Sequence, residues 1–317
     1  MIPAIRISLT NKCNLRCEYC PPYGENLTCF KKQASLEKFL QILDICNEIG
    51  FKSYRITGGE PLLSNLFKPV AIKIKSFKPE DFRLNTNGTL LEKNIGQINK
   101  MKFTDIKISL DTLNKKKYDK ITGTKNNFPA IIGGIKKASK MLKSRIGINM
   151  VVTKKNFEEI PNMIKFCQKN KINLKLLDLN YFESPGRKYW LENYQSLKGL
   201  VKNLQKRYKS RTVKTVGNFG IPMYEFKINR RILKVKSSDN GTTYSKICKN
   251  CKYFPQNGLK LKCQEGIYNL LLTADAKLAI CKQRPDLGID LSGMNKSEIK
   301  DSFRKILEYY NNSFFKK

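Results

Sequence analysis

The sequence predicts an α/β fold built on a parallel sheet, and three observations carry this prediction. Short β-prone runs alternate with amphipathic helical segments over the first 180 residues. Polar and glycine-rich motifs recur where these strands end, which is where parallel α/β sheets place their chemistry. The 317 residues suffice for one large core domain and a smaller appended domain. These observations alone fit either an open doubly wound sheet or a barrel.

The alternation begins after a cysteine-rich loop near the N-terminus. An amphipathic helix is predicted from Ser35, a suitable N-cap, to Gly50, a helix stop. A strand from Ser53 to Thr57 follows and ends at a Gly-Gly-Glu-Pro motif. The next predicted elements are a strand over 82–85, a helix over 91–98, a strand over 106–110, a helix over 129–142, a strand over 146–152, a helix over 158–169 and a strand over 174–179. Such βα units require right-handed crossovers.

Beyond residue 179 the pattern changes to an α+β arrangement. A turn-rich linker over 180–190 precedes a basic amphipathic helix predicted over 192–208. The remaining predicted elements are short strands over 212–216, 223–228 and 232–236 and a C-terminal helix over 297–310. We therefore expect two domains, residues 1–180 and 181–317.

Composition limits the classes of function. The chain has no His, which excludes an imidazole base, a His metal ligand and a Ser-His catalytic unit. No apolar run approaches the ~20 residues of a membrane span and the N-terminus lacks signal-peptide features, so we expect a cytoplasmic protein. A formal net charge of +35 would suit nucleic acid. Because the lysines are scattered along the chain, we instead expect a small-molecule or peptide substrate.

The cysteines indicate metal chemistry. Ten cysteines in a chain of this size without a signal peptide favour metal binding or catalysis over disulfides. Cys13, Cys17 and Cys20 lie on one short loop, and thiolates suit zinc, copper(I) or iron–sulfur clusters. Structural zinc requires four closed ligands. Three thiolates can instead hold three irons of a cubane and leave the fourth iron open for a cofactor.

Two further groups of residues are candidates for binding. On spacing alone, the second cysteine group fits either a four-cysteine zinc site or another iron–sulfur cluster; its members are Cys248, Cys251, Cys263 and Cys281. The other group follows successive strand ends and could hold a ligand through close backbone approach, carboxylates and amides. Its members are Gly58, Gly59, Glu60, Asn85, Asn87, Ser109 and Asp111.

The cysteine loop, with an aromatic residue before its last cysteine, resembles the signature of radical S-adenosylmethionine (SAM) enzymes. The stretch from Arg6 to about Asp178 resembles the core of the GTP 3′,8-cyclase family of molybdenum-cofactor biosynthesis (MoaA-like). Besides the cysteine loop, the matching motifs are Ile56 to Leu62, Leu84 to Gly88, Ile108 to Leu113, Lys120 to Gly123 and Ile148 to Val152. The resemblance implies a partial (β/α)6 TIM-like barrel followed by a smaller, twitch-type C-terminal domain.

The resemblance also implies a mechanism. The three cysteines of the loop would hold a 4Fe–4S cluster whose open iron binds SAM, with Tyr19 near the adenine. Gly58 to Glu60 would lie at the methionyl amino group and Ser109 near the ribose or carboxylate. One electron, from a donor such as flavodoxin or ferredoxin, would release a 5′-deoxyadenosyl radical that abstracts hydrogen from the substrate. Arg6 stands at the position of a substrate-contacting arginine.

The C-terminal part both resembles this family and departs from it. The segment from Leu270 to Cys281 is similar to the hairpin that carries the last auxiliary-cluster cysteine, which favours a second 4Fe–4S cluster over zinc. Cys263 is an additional candidate ligand, and the family's arginine-rich stretch is here Asn269 to Leu272. Lysines do not reproduce bidentate recognition by arginine. The substrate therefore stays open between GTP and another nucleoside, a sugar or a peptide. A structural metal-binding protein that contacts nucleic acid is the alternative from a different class.

Overall fold

The computed structural model describes residues 2–213, 221–242, 244–251 and 269–315, which form one large mixed sheet and the helices that cover it. The strands are β1 (Ala4–Ser8), β2 (Ser53–Thr57), β3 (Asp81–Thr86), β4 (Asp105–Ser109), β5 (Arg145–Val152), β6 (Asn173–Asp178), β7 (Ser210–Val213), β8 (Met223–Ile228), β9 (Arg231–Lys236), β10 (Asn269–Leu272), β11 (Lys277–Ala279) and β12 (Ile289–Asp290). The helices are α1 (Leu36–Ile49), α2 (Phe67–Ser76), α3 (Leu91–Met101), α4 (Lys115–Thr122), α5 (Phe128–Met141), α6 (Ile160–Lys169), α7 (Arg187–Asn193), α8 (Lys198–Arg207) and α9 (Lys296–Phe315).

The strands lie in the order β12-β11-β10-β1-β2-β3-β4-β5-β6-β9-β8-β7. Strands β1 to β6 are parallel neighbours in chain order, with helices in the connections, which confirms the predicted α/β class. Two later strands extend this parallel array, since β10 pairs parallel with β1 and β9 pairs parallel with β6. The remaining strands add antiparallel hairpins at both edges.

One face of the sheet packs against the helices. Alternate strand residues on this face are fully buried, as Tyr54 and Ile56 of β2 illustrate. They share one hydrophobic core with helix residues such as Phe39 of α1 and Val70 of α2. The intervening residues of the same strands point the other way, because successive side chains of a strand alternate between faces. This second face carries polar and charged side chains and is available for a site.

The sheet curls so that its polar face is concave. Neighbouring strands lie about 4.8 Å apart, so β2 and β6 would be roughly 19 Å apart in a flat sheet. The pKa of Lys175 on β6 nevertheless lies well below its ordinary value through burial and through nearby cations, and Arg55 of β2 is one of these. The two strands therefore approach each other across the concave face. This open, curled sheet matches the predicted partial (β/α)6 barrel.

Most predicted elements are present with shifted ends. Helix α1 begins and ends as its caps predict: the Ser35 side chain accepts a hydrogen bond from the Lys38 N–H, and Gly50 is left-handed. Helices α2 and α4 are additional to the prediction. The strand predicted over 212–216 corresponds to β7, which begins at Ser210, and residues 214–216 lie outside the described residues.

The single helix predicted over 192–208 is wrong. Helix α7 ends at Asn193 and α8 begins at Lys198. Between them Tyr194 adopts an extended conformation and forms an isolated antiparallel bridge with Thr153, after β5. Pairing with the end of the barrel therefore interrupts a run whose apolar spacing is helical.

Helix α9 returns the chain to the N-terminal half of the molecule. Its Phe303 ring lies edge-on to Phe51, with the ring centroids 5.9 Å apart. On the outer surface Lys296 and Lys300 both pair with Glu48 of α1. None of the helices within the described ranges is long and apolar enough to cross a membrane.

Candidate functional site

The cysteine loop follows β1 and is held from one side by the end of α4. The backbone N–H of Arg16 donates to the Thr122 carbonyl at 2.7 Å, and that of Glu18 donates to the Ile121 carbonyl at 2.9 Å. A Cβ on Gly123 would lie 2.9 Å from the Arg16 carbonyl oxygen. The loop is thus pinned by backbone contacts to a segment more than 100 residues away.

From the other side the loop rests on the Gly-Gly-Glu-Pro motif after β2. The N–H of Gly59 donates to the Thr10 carbonyl at 2.7 Å, and that of Glu60 donates to the Lys12 carbonyl at 2.8 Å. A Cβ on Gly59 would lie 2.2 Å from the Lys12 carbonyl oxygen, a distance that no side chain tolerates. The missing Cβ therefore lets the cysteine loop itself approach the motif.

Cys13, Cys17 and Cys20 lie together on this loop. Burial raises the pKa of all three thiols, that of Cys20 to about 12. The pKa of Cys17 is raised further by Asp111, Cys20 and Cys13, so the three sulfurs are close enough to repel one another as thiolates. Three thiolates this close together favour the binding of a cation that neutralises their negative charge. Across the described ranges no three His, Cys, Asp or Glu side chains converge on a single ion; cubane ligands need not converge, because each binds a different iron.

Glu60 ties the ends of β2 and β3 together. Its side chain is fully buried, and one oxygen accepts hydrogen bonds from the Leu62 N–H at 3.1 Å and the Thr86 hydroxyl at 2.8 Å. The other oxygen accepts from the Asn87 N–H at 2.6 Å. Burial raises the pKa of Glu60 to about 7. Both Glu60 oxygens thus already accept hydrogen bonds from the protein, although a carboxylate has further lone pairs that could accept from a ligand.

Asn87 orients the first cysteine. Its amide nitrogen lies 3.6 Å from the Cys13 sulfur and donates to the Asn14 side chain at 2.9 Å. Its oxygen accepts from the Thr89 N–H and hydroxyl at 2.9 and 2.7 Å. All its polar groups therefore have partners at the cysteine loop and the turn after β3.

Tyr19 and Asp111 form the opposite wall. The Tyr19 hydroxyl donates to one Asp111 oxygen at 2.7 Å, and the Val151 N–H of β5 donates to the other at 2.8 Å. Burial raises the pKa of Asp111 to about 6, against the opposing effect of these two donors. The hydrogen bond to Asp111 holds the Tyr19 ring in place. The ring lies near Cys17, since the Cys17 thiolate is among the charges that raise the pKa of Tyr19 in addition to the larger effect of burial.

The ends of β3 to β5 provide polar groups that have no hydrogen-bond partner among the described residues. Within the described part of the chain, no hydrogen bond reaches the side chains of Asn85 and Ser109, and the buried Asn149 oxygen likewise has none. Asn149 lies beside Ser109 in the sheet register and opposite Lys175 of β6. A buried acceptor without a hydrogen-bond partner costs free energy, so a bound ligand that donates a hydrogen bond here would stabilise the protein. Asn149 was not predicted individually.

The concave face below these groups is cationic. One basic residue projects from the middle of most central strands: Arg6 of β1, Arg55 of β2, Arg83 of β3, Lys107 of β4, Lys175 of β6 and Lys234 of β9. Some have acidic neighbours, as Lys107 has Asp105 at 2.8 Å. In contrast, Lys175 has no acidic partner among the described residues, and its pKa is lowered by burial and by the nearby cations Lys236, Arg55, Lys107 and Arg83. An anion would remove this repulsion.

Apart from Arg6, which the sequence placed at a substrate-contacting position, these cations were not predicted as site residues. In a chain with 61 Lys and Arg residues, a single lysine carries little information. The informative feature of these residues was their position in the predicted strands. The strands of a parallel sheet are normally apolar on both faces, so a basic residue in the middle of several of them is unexpected.

The second cysteine group is described in part. The Cys251 N–H donates to the Cys248 carbonyl at 3.0 Å. Arg284, three residues after Cys281, has its pKa raised by Asp286 and also by Cys251. The segment that contains Cys248 and Cys251 therefore lies near the segment that follows β11. Cys263 lies outside the described residues.

Comparison with known proteins supports the same chemistry. A family model described as Radical SAM superfamily matches residues 7–167, just over half of the chain. A "Probable GTP 3′,8-cyclase" from Pyrococcus horikoshii is 31% identical over 307 residues, which covers 94% of this chain and 89% of that protein. A protein with the same description from Methanocella arvoryzae is 27% identical over 301 residues, covering 94% and 87% of the two chains.

Solved structures share the fold. Streptococcus suis SuiB bound to S-adenosylmethionine superposes with a TM-score of 0.63 at 16% identity, covering 95% of this chain and 64% of SuiB. The chain thus spans somewhat less than two thirds of the SuiB chain. At this identity the likeness concerns the architecture alone.

Proposed function

The chain belongs to the radical SAM superfamily, and from this premise we propose that it is a radical SAM enzyme whose substrate is GTP, converted as by a GTP 3′,8-cyclase. The observation that carries the choice of substrate is the cationic concave face, where Lys175 lacks an acidic partner within the described ranges. A triphosphate supplies the negative charge that this face needs. The full-length similarity to proteins described as GTP 3′,8-cyclases supports the same choice.

Cys13, Cys17 and Cys20 would hold the 4Fe–4S cluster of the radical SAM core. When bound and reduced by one electron, cluster and SAM together supply a 5′-deoxyadenosyl radical that removes hydrogen from the substrate. The mutual repulsion of the three thiolates and the partly exposed loop suit such a group. The protein's own part is to position the ligands: Asn87 orients Cys13, and Gly59 seats the loop on the motif after β2.

The groups around the cysteine loop would bind SAM. Tyr19, fixed by Asp111, would lie near the adenine, and Gly58 to Glu60 at the methionyl amino group. Asn85 and Ser109 would contact the ribose or carboxylate, since no described residue occupies them. We add Asn149, because its buried oxygen accepts no hydrogen bond from any residue that the structure describes. The helix-covered barrel shields the reactive carbon from water.

A second 4Fe–4S cluster would lie in the C-terminal part, held by Cys248, Cys251 and Cys281, with Cys263 as the candidate for a fourth ligand. The proximity of Cys251 to the segment after Cys281 supports this grouping. With three cysteines one iron would stay open for the substrate's base, whereas four thiolates would close the cluster.

The electron donor would be an acidic protein such as flavodoxin or ferredoxin. The outer side of the cysteine loop exposes Lys12, Arg16, Lys31 and Lys32. The Asn11 side chain donates to the Phe30 carbonyl at 3.4 Å, which keeps the two later lysines beside the loop. A positive surface next to the cluster favours association with a negatively charged donor.

The decisive experiment is anaerobic turnover. Reconstituted protein should contain about eight irons per chain, and with dithionite, SAM and GTP it should form 5′-deoxyadenosine together with a cyclised GTP product, measured by mass spectrometry. Omission of GTP is the control and should leave only slow, uncoupled SAM cleavage. Formation of 5′-deoxyadenosine with GTP recovered unchanged would refute GTP as the substrate.

Replacement of Lys175 provides a test of the cationic face. Lys175→Met should raise the KM for GTP at least about tenfold, because the variant loses one charge-assisted contact with the substrate. Such a contact contributes about 1.5–3 kcal/mol, which corresponds to a change in affinity of about tenfold or more.

The same variant should change the pH dependence of stability. The pKa of Lys175 in the folded protein lies below its ordinary value of about 10.4, so the charged lysine destabilises the fold at low pH. This penalty vanishes as the pH rises towards the ordinary value. The variant should therefore melt at a higher temperature than the wild type at pH 6, and this difference should shrink by pH 10.

The matched control is Lys136→Met, which removes an exposed lysine from α5. It should leave both the KM and the melting temperature unchanged. A Lys175→Met protein with an unaltered KM would show that the cationic face does not bind the substrate.

A further inference from the structure

Glu25 forms an ion pair inside the candidate site that the proposed reaction does not use. One Glu25 oxygen lies 2.5 Å from the Arg6 guanidinium and 3.4 Å from the Lys282 ammonium group. The two cationic side chains are only 15% and 12% exposed. One carboxylate thus pairs with two largely buried cations, and removing one partner from such a buried group has a much larger effect than breaking an exposed salt bridge.

The backbone around Glu25 is fixed on both sides. Gly24 is left-handed, with φ of 57°, and a Cβ there would lie 3.2 Å from the Gly58 carbonyl oxygen. Asn26 is fully buried, and its oxygen accepts a hydrogen bond from the Ala274 N–H at 3.0 Å. Its amide nitrogen donates to the Tyr23 carbonyl at 3.0 Å. Only the side chain of Glu25 can therefore move without disturbing the loop.

The ion pair lies between the two cysteine groups. The charges of Glu25 and Lys282 both influence the thiol of Cys20, in opposite directions. Lys282 also follows Cys281 directly in the chain, and Arg6 belongs to the cationic face. A substrate held between the two groups would reach the same two cations.

We propose that Glu25 is a resident counter-ion that occupies the substrate's anionic position on Arg6 and Lys282 and is displaced when substrate binds. The inference rests on the proposed function, since it assumes a polyanionic substrate at this face. One carboxylate holds the two cations in place in the resting state. A phosphate chain carries several negative charges and outcompetes it, whereas a neutral molecule does not. Glu25 is therefore a specificity-determining residue that selects for polyanions.

The test compares Glu25→Gln with the wild type, both as anaerobically reconstituted protein. Removal of the competing charge should tighten the binding of tripolyphosphate and of GTP about tenfold, measured by isothermal titration calorimetry. The KM for GTP should fall in parallel, with kcat within about twofold. Glu48→Gln is the matched control, because Glu48 also bridges two lysines but lies on the outer surface, and it should change neither affinity.

The outcomes separate the inference from the proposed function. Tighter tripolyphosphate binding by Glu25→Gln without detectable binding of GTP to either protein would support the counter-ion and refute GTP. GTP binding that is unchanged or weaker in Glu25→Gln would overturn the counter-ion and leave the proposed function standing. Where Glu25→Gln does not fold, Lys282→Met decides: tripolyphosphate binding should weaken at least threefold, and unchanged binding would overturn the inference.

Discussion

Simultaneous replacement of Cys13, Cys17 and Cys20 by serine should abolish SAM cleavage completely. We expect 5′-deoxyadenosine to fall below detection under dithionite, because serine does not replace thiolate as a ligand to iron. About four irons per chain should remain, bound by the C-terminal cysteines. Iron analysis and the visible absorption spectrum measure this remainder, and mass spectrometry measures the product.

The control for the triple variant is Cys29→Ser. Cys29 lies on the same loop and is exposed, but it belongs to neither cysteine group, so its replacement should preserve about eight irons and full activity. A triple variant that still cleaves SAM would refute the assignment of the first site. A triple variant devoid of iron would instead refute the second cluster.

Gly59→Ala should disable the first site without touching a ligand. Its new Cβ would lie 2.2 Å from the Lys12 carbonyl oxygen and 2.9 Å from that of Asn11, and both are backbone atoms of the cysteine loop. The loop must shift away from the motif. This shift breaks the hydrogen bonds from the Gly59 N–H to the Thr10 carbonyl and from the Glu60 N–H to the Lys12 carbonyl. We expect reconstituted iron to fall from about eight to about four per chain, and the free energy of unfolding to fall by more than about 2 kcal/mol.

Gly96→Ala is the comparison for this substitution. Gly96 is exposed on α3, and a Cβ there would meet nothing within 4 Å. Alanine is favoured over glycine inside a helix, so this variant should gain about 0.5–1 kcal/mol of stability with iron unchanged. A Gly59→Ala protein that melts and binds iron like the wild type would contradict the close approach of loop and motif.

The central part of the fold was predictable because its signals are local. Period-two and helical spacing located β2 to β6, and Ser35 and Gly50 marked the ends of α1. Helix α2 escaped prediction because it is short and has no side-chain cap. The pairings of β9 with β6 and of β10 with β1 were unpredictable from spacing, since they join distant segments.

The site was predictable where function demands special residues. Three cysteines on one loop and two adjacent glycines are visible in sequence, and the polar strand ends lie around them. The sequence did not reveal how these residues use their polar groups, such as the contact of Asn87 with Cys13. It also missed Glu25, because an ion pair with Lys282 depends on how segments over 250 residues apart meet.

The parallel pairing of β10 with β1 has a consequence for biosynthesis. The first strand gains this neighbour only after residue 269 has been translated, and Asn26 of the cysteine loop gains its Ala274 contact later still. Until then the cysteine loop of the nascent chain lacks these contacts on one side. Delivery of iron and sulfide to the loop should therefore follow the synthesis of residues 269–274, when the assembly machinery meets a loop that is supported on both sides.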